Sequence, residues 1–568
     1  MCGLLLLLSA TVAYGASPRM GSKLAKELSG PQLPDQVKIV VQFKEVPTKA
    51  HHQKVFNMGG VLRRELKIVK AGAYTVPKWA LPLLAQDPSV AYISSDRGVR
   101  TASTVALDYH NEAINTAVAA GMGYDGSGVG VAVIDSGITN HPDLQGHNGS
   151  RVVYSQNFVD SSTGDDYGHG SHVAGIIGGS GASSKGAGYS YTFKGIAPNV
   201  NLIDLRVLDK NGQGSDSQVI AAIQTAIQLK NTYNIRVISL SLGRPVYESY
   251  AQDPLCQAVE QAWQAGIVVV VAAGNEGRDN YDTTSGYGTI TAPGNDPLVI
   301  TVGAMRTLST PDRADDVIAS YSSKGPSLVD HVVKPDLVAP GNQIVSLYHP
   351  GETLSQIEPD NAVPLALYQA TLSSAASNSY FILSGTSMAT PMVSGAAALL
   401  LQQNPALTPD QVKARLMKTA YKNLVPYSSA TDPVTLQVFN SQADIFTVGA
   451  GYLDIQAALN NTDLAPATVG SAASPTASQD ADGNVVLNTG TSVFGNSVLW
   501  GNSVLWGNSV LWGTNVMGQS VLWGTSVCWG TSTTQGYSVL WGTSSPAALS
   551  ILWGTSTTPA MSVATHGD

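Results

Sequence analysis

The chain has 568 residues, of which 43% are hydrophobic and only 12% charged, with 57 glycines and 29 prolines. That is enough for several domains and a large core, and too apolar for a disordered chain. That length excludes a small disulfide scaffold, and the three cysteines, Cys2, Cys256 and Cys528, leave stability outside the cell to packing rather than cross-links. The balance of 31 basic against 40 acidic residues, with no Lys/Arg-rich run, argues against nucleic acid as a partner. The charge is split: residues 17–105 carry a balance of +8 and residues 106–568 one of −17. A basic front segment can therefore dock on an acidic body within about a Debye length.

In chain order, Leu4 to Leu8 form a short apolar run followed by the small residues Ala13 and Gly15, which reads as a signal peptide over 1–16. The run is too short to span a bilayer. Residues 37–43 (VKIVVQF), 61–69, 72–76 and 89–94 read as strands, and 48–58 and Trp79 to Gln86 as helices. This β-α-β-β-α-β order predicts a small α+β split βαβ domain over 17–104. From residue 128 the segments GVGVAVID, NLIDLRVLD, RVISLSLG, GIVVVVAAGN and PLVITVGA are continuous β-branched runs, as expected of strands buried on both faces. Val219, Ile223 and Ala226, then Leu255, Val259 and Ala262, recur at helical spacing between them. Helices are also expected over 387–403 and 409–420. The fold class over 105–460 is α/β, a doubly wound parallel sheet. Residues 461–490, rich in Ala, Ser, Thr, Asp and Gly, read as a linker. Over 491–568 a hexapeptide of the SVLWGN/T type recurs and holds seven of the nine tryptophans, which predicts a β-type repeat tail.

Three segments place an acid, an imidazole and a hydroxyl at structured turns. Asp135 ends a buried strand in GVAVIDSGI; His169 opens a helix in YGHGSHVAG; Ser387 opens another in LSGTSMATP. Open α/β sheets bind ligands at the carboxyl ends of their strands, and a helix start suits a developing oxyanion. Taken singly, each is as readily a turn acid, a core histidine or an N-cap. The spacing of His169 and His172, with no adjacent Glu, does not fit a zinc helix. Together with AAGNEG around Asn275, the order Asp135, His169, Ser387 is one of the chain orders of Ser-His-Asp catalysis.

On VIDSGI, HGSHVAG, AAGNEG and SGTSMATP, supported by HPDL, YSSKGP and KPDLVAPG, residues 106–460 resemble the catalytic domain of the subtilisin-like serine peptidases. The resemblance implies Ser387 as nucleophile, His169 as general base and then acid, Asp135 as the residue that orients it, and Asn275 as oxyanion donor. It further implies Ser241, Leu242 and Gly243 as one wall of the S1 pocket and Ala272, Ala273 and Gly274 as the other, with Thr291 at the floor. Gly212, Gln213 and Gly214 are implied as an edge that pairs with extended peptide substrates. No acid is placed at the pocket floor, so apolar or medium-sized P1 residues are expected. No cofactor is implied for catalysis. Structural calcium is common in the family; Asp143 is a candidate ligand, the other reading being a plain turn acid.

The segment 17–104 resembles the family's inhibitor-type prosegment, so a secreted, self-processing zymogen with its own prosegment as intramolecular inhibitor is expected. The stretches His349 to Tyr380 and 421–449 are longer than in the shortest family members. An α/β-hydrolase esterase is disfavoured because Gly385-Thr386-Ser387-Met388-Ala389 lacks the second elbow glycine, and a sedolisin-type peptidase because His169 occupies the base motif. The competing function is a surface or structural protein acting through the Trp-rich tail, which carries the expectation of cell-surface attachment or self-association.

Overall fold

Residues 36–95 form strands β1 (Gln36–Phe43), in which buried and more exposed positions alternate, β2 (Val61–Leu66), β3 (Ala71–Pro77) and β4 (Val90–Ser95), with helices α1 (Lys49–Asn57) and α2 (Ala80–Gln86). The sheet is antiparallel where β1 meets β3 and β4 and where β2 meets β3, in the order β2-β3-β1-β4. Ile39, Val41, Val55, Tyr74, Leu81, Leu84 and Ile93 fill its core. Strand expected over 61–69 ends at Leu66, and Lys67–Val69 forms a turn of 3₁₀ helix.

This computed structural model describes residues 19–20, 24, 36–95, 109–279, 284–370, 373, 375–432, 436–479, 484–488, 490, 493, 527–528, 551–552 and 567–568. The chain divides into two units at Thr104/Val105. The expected signal segment and most of the repeats lie outside the described residues.

In the second unit the β-branched runs become β5 (Gly130–Asp135), β6 (Val152–Asn157), β7 (Asn201–Arg206), β8 (Ile235–Leu240), β9 (Val268–Ala272), β10 (Ile300–Arg306), β11 (Val317–Ile318) and β12 (Leu337–Pro340). They form one sheet in the order β11-β10-β9-β8-β5-β7-β6, with β12 also on β10. All pairs are parallel except β10 with β11. Helices α4 (Asp216–Tyr233) and α5 (Pro254–Gln264) pack on each other and on the sheet, as do α3 (His169–Gly178) and α6 (Thr386–Gln403). The fold is thus the expected doubly wound α/β class. Helix α6 is buried on every side from Met388 to Leu401, which explains its lack of a polar face.

Helix α7 (Pro409–Thr419) begins with a capping box at Thr408. It inserts Lys413 into the interior, where the ammonium donates to the carbonyls of Pro297 (2.8 Å) and Val299 (2.9 Å) and to Ser474 Oγ (2.8 Å), 3.1 Å from Asp336. Burial pulls this amine down to about 7 against the opposing charge of Asp336. Ser474 also donates to Asp336 (2.5 Å), Ala472 N–H donates to Asp410 (2.8 Å), and Val333 N–H donates to the Pro475 carbonyl (2.8 Å). Residues 472–475, within the segment expected to be a linker, are therefore held on the body: small side chains read as a linker in composition also fit a packed groove.

Candidate active site

Strands β9, β8 and β5 are adjacent and parallel, so their carboxyl ends lie on one edge of the sheet. Asp135 is the last residue of β5, Ser241 follows β8, and Asn275 stands three residues beyond β9. The sheet alone thus brings three of the expected site segments together.

The Asp135 carboxylate is 1% exposed; Oδ1 accepts from Ser136 N–H (2.8 Å) and lies 2.8 Å from His169 Nδ1. His169 is the first residue of α3. Burial pulls its imidazole down, but the charge and hydrogen bond of Asp135, with Asp165 adding, outweigh burial and leave it above the ordinary 6.5. Asp165 was not read from the sequence as a site residue. Its carboxylate accepts from the N–H groups of Gly168 (2.7 Å) and Ser171 (2.8 Å) and so caps α3, fixing where His169 points. Burial pushes the Asp165 carboxyl up, and Asp135 adds to the shift. A second unread residue, Glu352, comes from the long stretch after His349. It is 5% exposed, accepts from Thr139 Oγ1 (3.0 Å) and His349 N–H (3.0 Å), and is pushed up to about 8 by burial and then by Asp165.

Ser387 sits in the first turn of α6 after Gly385, whose φ of 148° suits only glycine and where a Cβ would lie 3.2 Å from Asn275 Nδ2. Thr386 N–H (2.9 Å) and Oγ1 (3.1 Å) both donate to Asn275 Oδ1. That fixes the amide so that Nδ2 is its remaining donor group, beside the helix start that carries the Ser387 N–H. Pro391 lies inside α6 and has no N–H to give the Ser387 carbonyl. Ser241 Oγ supplies that bond (2.8 Å), while Ser387 Oγ donates to the Ser241 carbonyl (3.2 Å). Two reciprocal bonds therefore tie the helix start to the end of β8.

The expected pocket walls converge on Thr291, which donates its N–H to the Ala273 carbonyl (3.1 Å). A Cβ on Gly243 would lie 2.4 Å from Thr291 Oγ1, and one on Gly274 2.9 Å from its Cγ2. Ser241, Leu242, Ala272 and Ala273 are buried. Gly212 has φ +72°, and Gln213–Gly214 is a two-residue strand already paired antiparallel with Ile551–Leu552 of the tail.

Asp143 is fully buried and faces hydrogen-bond donors: Ser183 N–H (2.7 Å) and Tyr380 O–H (2.7 Å). Donors aimed at both oxygens do not suit a calcium ligand, so Asp143 serves here to anchor Tyr380. Among the described residues, no group of three or more His, Cys, Asp or Glu is placed to hold a metal ion, and no helix is long and apolar enough to cross a membrane.

An α/β sheet with an acid–imidazole pair and a hydroxyl-bearing helix start at its carboxyl edge defines a class of hydrolase. The family model described as "Subtilase family" matches residues 126–480. The chain is 38% identical over 400 residues to serine protease AprX of Bacillus subtilis, covering 67% of this chain and 82% of that protein. It is 34% identical over 390 residues to subtilisin E of the same organism, covering 67% and 85%. It is 36% identical over 369 residues to an extracellular serine proteinase of a Thermus species, covering 64% and 73%. The chain belongs to the subtilase family and is a subtilisin-like serine protease.

Proposed function

We propose that the protein is a secreted serine endopeptidase, made as a self-processing zymogen, that cleaves extended peptide chains through an acyl-enzyme. The observation that carries this reading is the Asp135–His169 bond of 2.8 Å on the sheet edge where Ser387 and Asn275 are held by direct hydrogen bonds. Ser387 Oγ turns from the Ser241 carbonyl to attack the scissile carbonyl while His169 Nε2 takes its proton. Asp135 holds the imidazole with Nδ1 protonated and stabilises the imidazolium that forms. Charge developing on the carbonyl oxygen meets Asn275 Nδ2 and the Ser387 N–H, donors fixed before reaction begins. His169 then protonates the leaving amine, and water repeats the sequence to release the acyl group.

In this reading Ser241, Leu242 and Gly243 with Ala272, Ala273 and Gly274 line the S1 pocket above Thr291, a lining of small side chains that suits apolar or medium-sized P1 residues; the carboxyl nearest the Gly274 wall, Glu276, accepts from Ser323 Oγ (3.1 Å). Gly212, Gln213 and Gly214 offer backbone to the substrate on the other side. The segment 17–104 acts as the prosegment, its balance of +8 attracting the acidic body, and is released by a cut near residues 100–106. Secretion is supported by the leader-like start and by a relative named as extracellular. The repeat tail serves attachment or assembly rather than hydrolysis; a purely structural protein is not favoured, because the match to proteases covers most of the second unit. Incubation with casein tests the reading: the parent chain digests it and shortens at its own front, and the Ser387→Ala chain does neither. Equal casein digestion by both would overturn it.

A further inference from the structure

Asp568 lies far in sequence from every strand of the catalytic sheet, yet its side chain is 0% exposed. A carboxylate is taken out of water only where charged and hydrogen-bonding partners replace it. Here Oδ1 accepts from Arg278 Nη2 (2.5 Å) and Ser320 Oγ (2.5 Å), and Oδ2 accepts from Ser320 N–H (2.7 Å) with Arg306 Nη1 at 3.6 Å. The backbone is read as well: Asp568 N–H donates to Asn342 Oδ1 (2.9 Å), and Arg278 Nη2 reaches the Gly567 carbonyl (3.4 Å). Arg278 is itself braced by Asp432 (2.9 Å) and by Ser320 Oγ (2.8 Å).

We propose that Arg278, Arg306, Ser320 and Asn342 form a binding pocket specific for a Gly-Asp dipeptide, and that it holds the repeat tail on the protease body. The pocket discriminates at both positions. Gly567 has φ +64°, a conformation that strains any L side chain, and a Cβ there would lie 2.4 Å from Asn342 Oδ1 and 2.5 Å from Ser384 Oγ, so a larger residue must displace both of these groups. The Asn342 contact fixes the backbone of Asp568 while Ser320 N–H fixes its carboxylate, a span that one methylene more, as in Glu, overshoots. An amide in place of the carboxylate keeps the shape but leaves two guanidinium groups with a weaker acceptor.

Residues 472–475 and Gly567–Asp568 are both held on the body, and Ile551–Leu552 pairs with Gln213–Gly214, the edge assigned above to substrate.

The test uses the full chain with Ser387→Ala to prevent self-digestion; the binding result does not depend on the proteolytic reading. The probe is the fluorescein-labelled, C-terminally amidated peptide Val-Ala-Thr-His-Gly-Asp, matching residues 563–568, so that only the aspartate side chain supplies the carboxylate. Fluorescence anisotropy is expected to show at least about tenfold tighter binding to the chain that also carries Asp568→Ala, whose pocket is vacated, than to the parent. Peptides with Asn or Glu for the aspartate, or Ala for the glycine, are expected to bind at least about tenfold more weakly. Arg306→Gln, which leaves the Arg278–Asp432 pair intact, is expected to weaken binding without altering the melting temperature. Equal binding to the parent and the Asp568→Ala chain would overturn the proposal, as would equal binding of the Asn or Ala peptides.

Discussion

Replacing Asp135 by Asn keeps the shape of the side chain and removes the charge 2.8 Å from His169 Nδ1. At an effective dielectric of about 20, two unit charges at that distance attract by about 6 kcal/mol. Burial of the imidazole opposes this, and the charge and hydrogen bond of Asp135 outweigh it, which leaves His169 above its ordinary value. Without the Asp135 charge the burial penalty dominates, and the pKa must fall. The base works only when neutral, so the wild-type acid limb of kcat/KM should have its midpoint above the ordinary 6.5, and in Asp135→Asn it should move down. The amide also favours the wrong tautomer, so kcat should drop about 10⁴-fold. The assay is the pH profile of kcat/KM on a small chromogenic peptide between pH 5 and pH 9. A midpoint that stays or rises in the variant, or a loss under about 100-fold, would refute the argument.

Ser387→Ala should lower turnover about 10⁶-fold, and Asn275→Ala about 10²- to 10³-fold in kcat with little change in KM, read by steady-state kinetics. Ser241→Ala should reduce kcat by leaving the Ser387 carbonyl without its donor, and the loss should shrink in a Pro391→Ala background, where the helix N–H returns; a double-mutant cycle with no coupling would count against the clamp. Glu352 is held protonated by the fold up to about pH 8 but ionises near 4.5 when unfolded, so its folding contribution is largest at low pH and fades as pH rises through that window. The melting temperature of Glu352→Gln relative to the parent should therefore climb between pH 5 and pH 8, and a constant offset would contradict the burial of this carboxyl. Added segment 17–100 should inhibit the processed enzyme, less so as salt is raised.

The sheet was legible because strands buried on both faces leave uninterrupted apolar runs, and the ends of β5, β8 and β9 then lie on one edge by topology alone. Asp135, His169, Asn275 and Ser387 were legible as candidates because each sits where such a run stops or a helix starts. Asp165 carried a weak local signal, an acid just before a helix, which is easily taken for a surface turn. Glu352 carried none: it meets Thr139 across 213 residues of sequence, and no periodicity marks a loop residue that packs so far away. The hold on residues 472–475 was hidden by composition, since Ala and Ser are read as flexible until a buried lysine such as Lys413 is seen to need an acceptor. The Gly567–Asp568 contact depends on Arg278 and Arg306, about 290 and 260 residues earlier, whose pairing only the fold determines.

The account rests on Ser387 being an activated nucleophile, and covalent labelling asks this directly. The processed protein is treated with a fluorophosphonate, which phosphonylates only serine hydroxyls made nucleophilic by a neighbouring base, and the adduct is mapped by mass spectrometry. A single adduct on Ser387, rising in step with the loss of peptidase activity and absent in His169→Ala, is the predicted result. Full loss of activity with the adduct on another residue, or full labelling of Ser387 with activity intact, would contradict it.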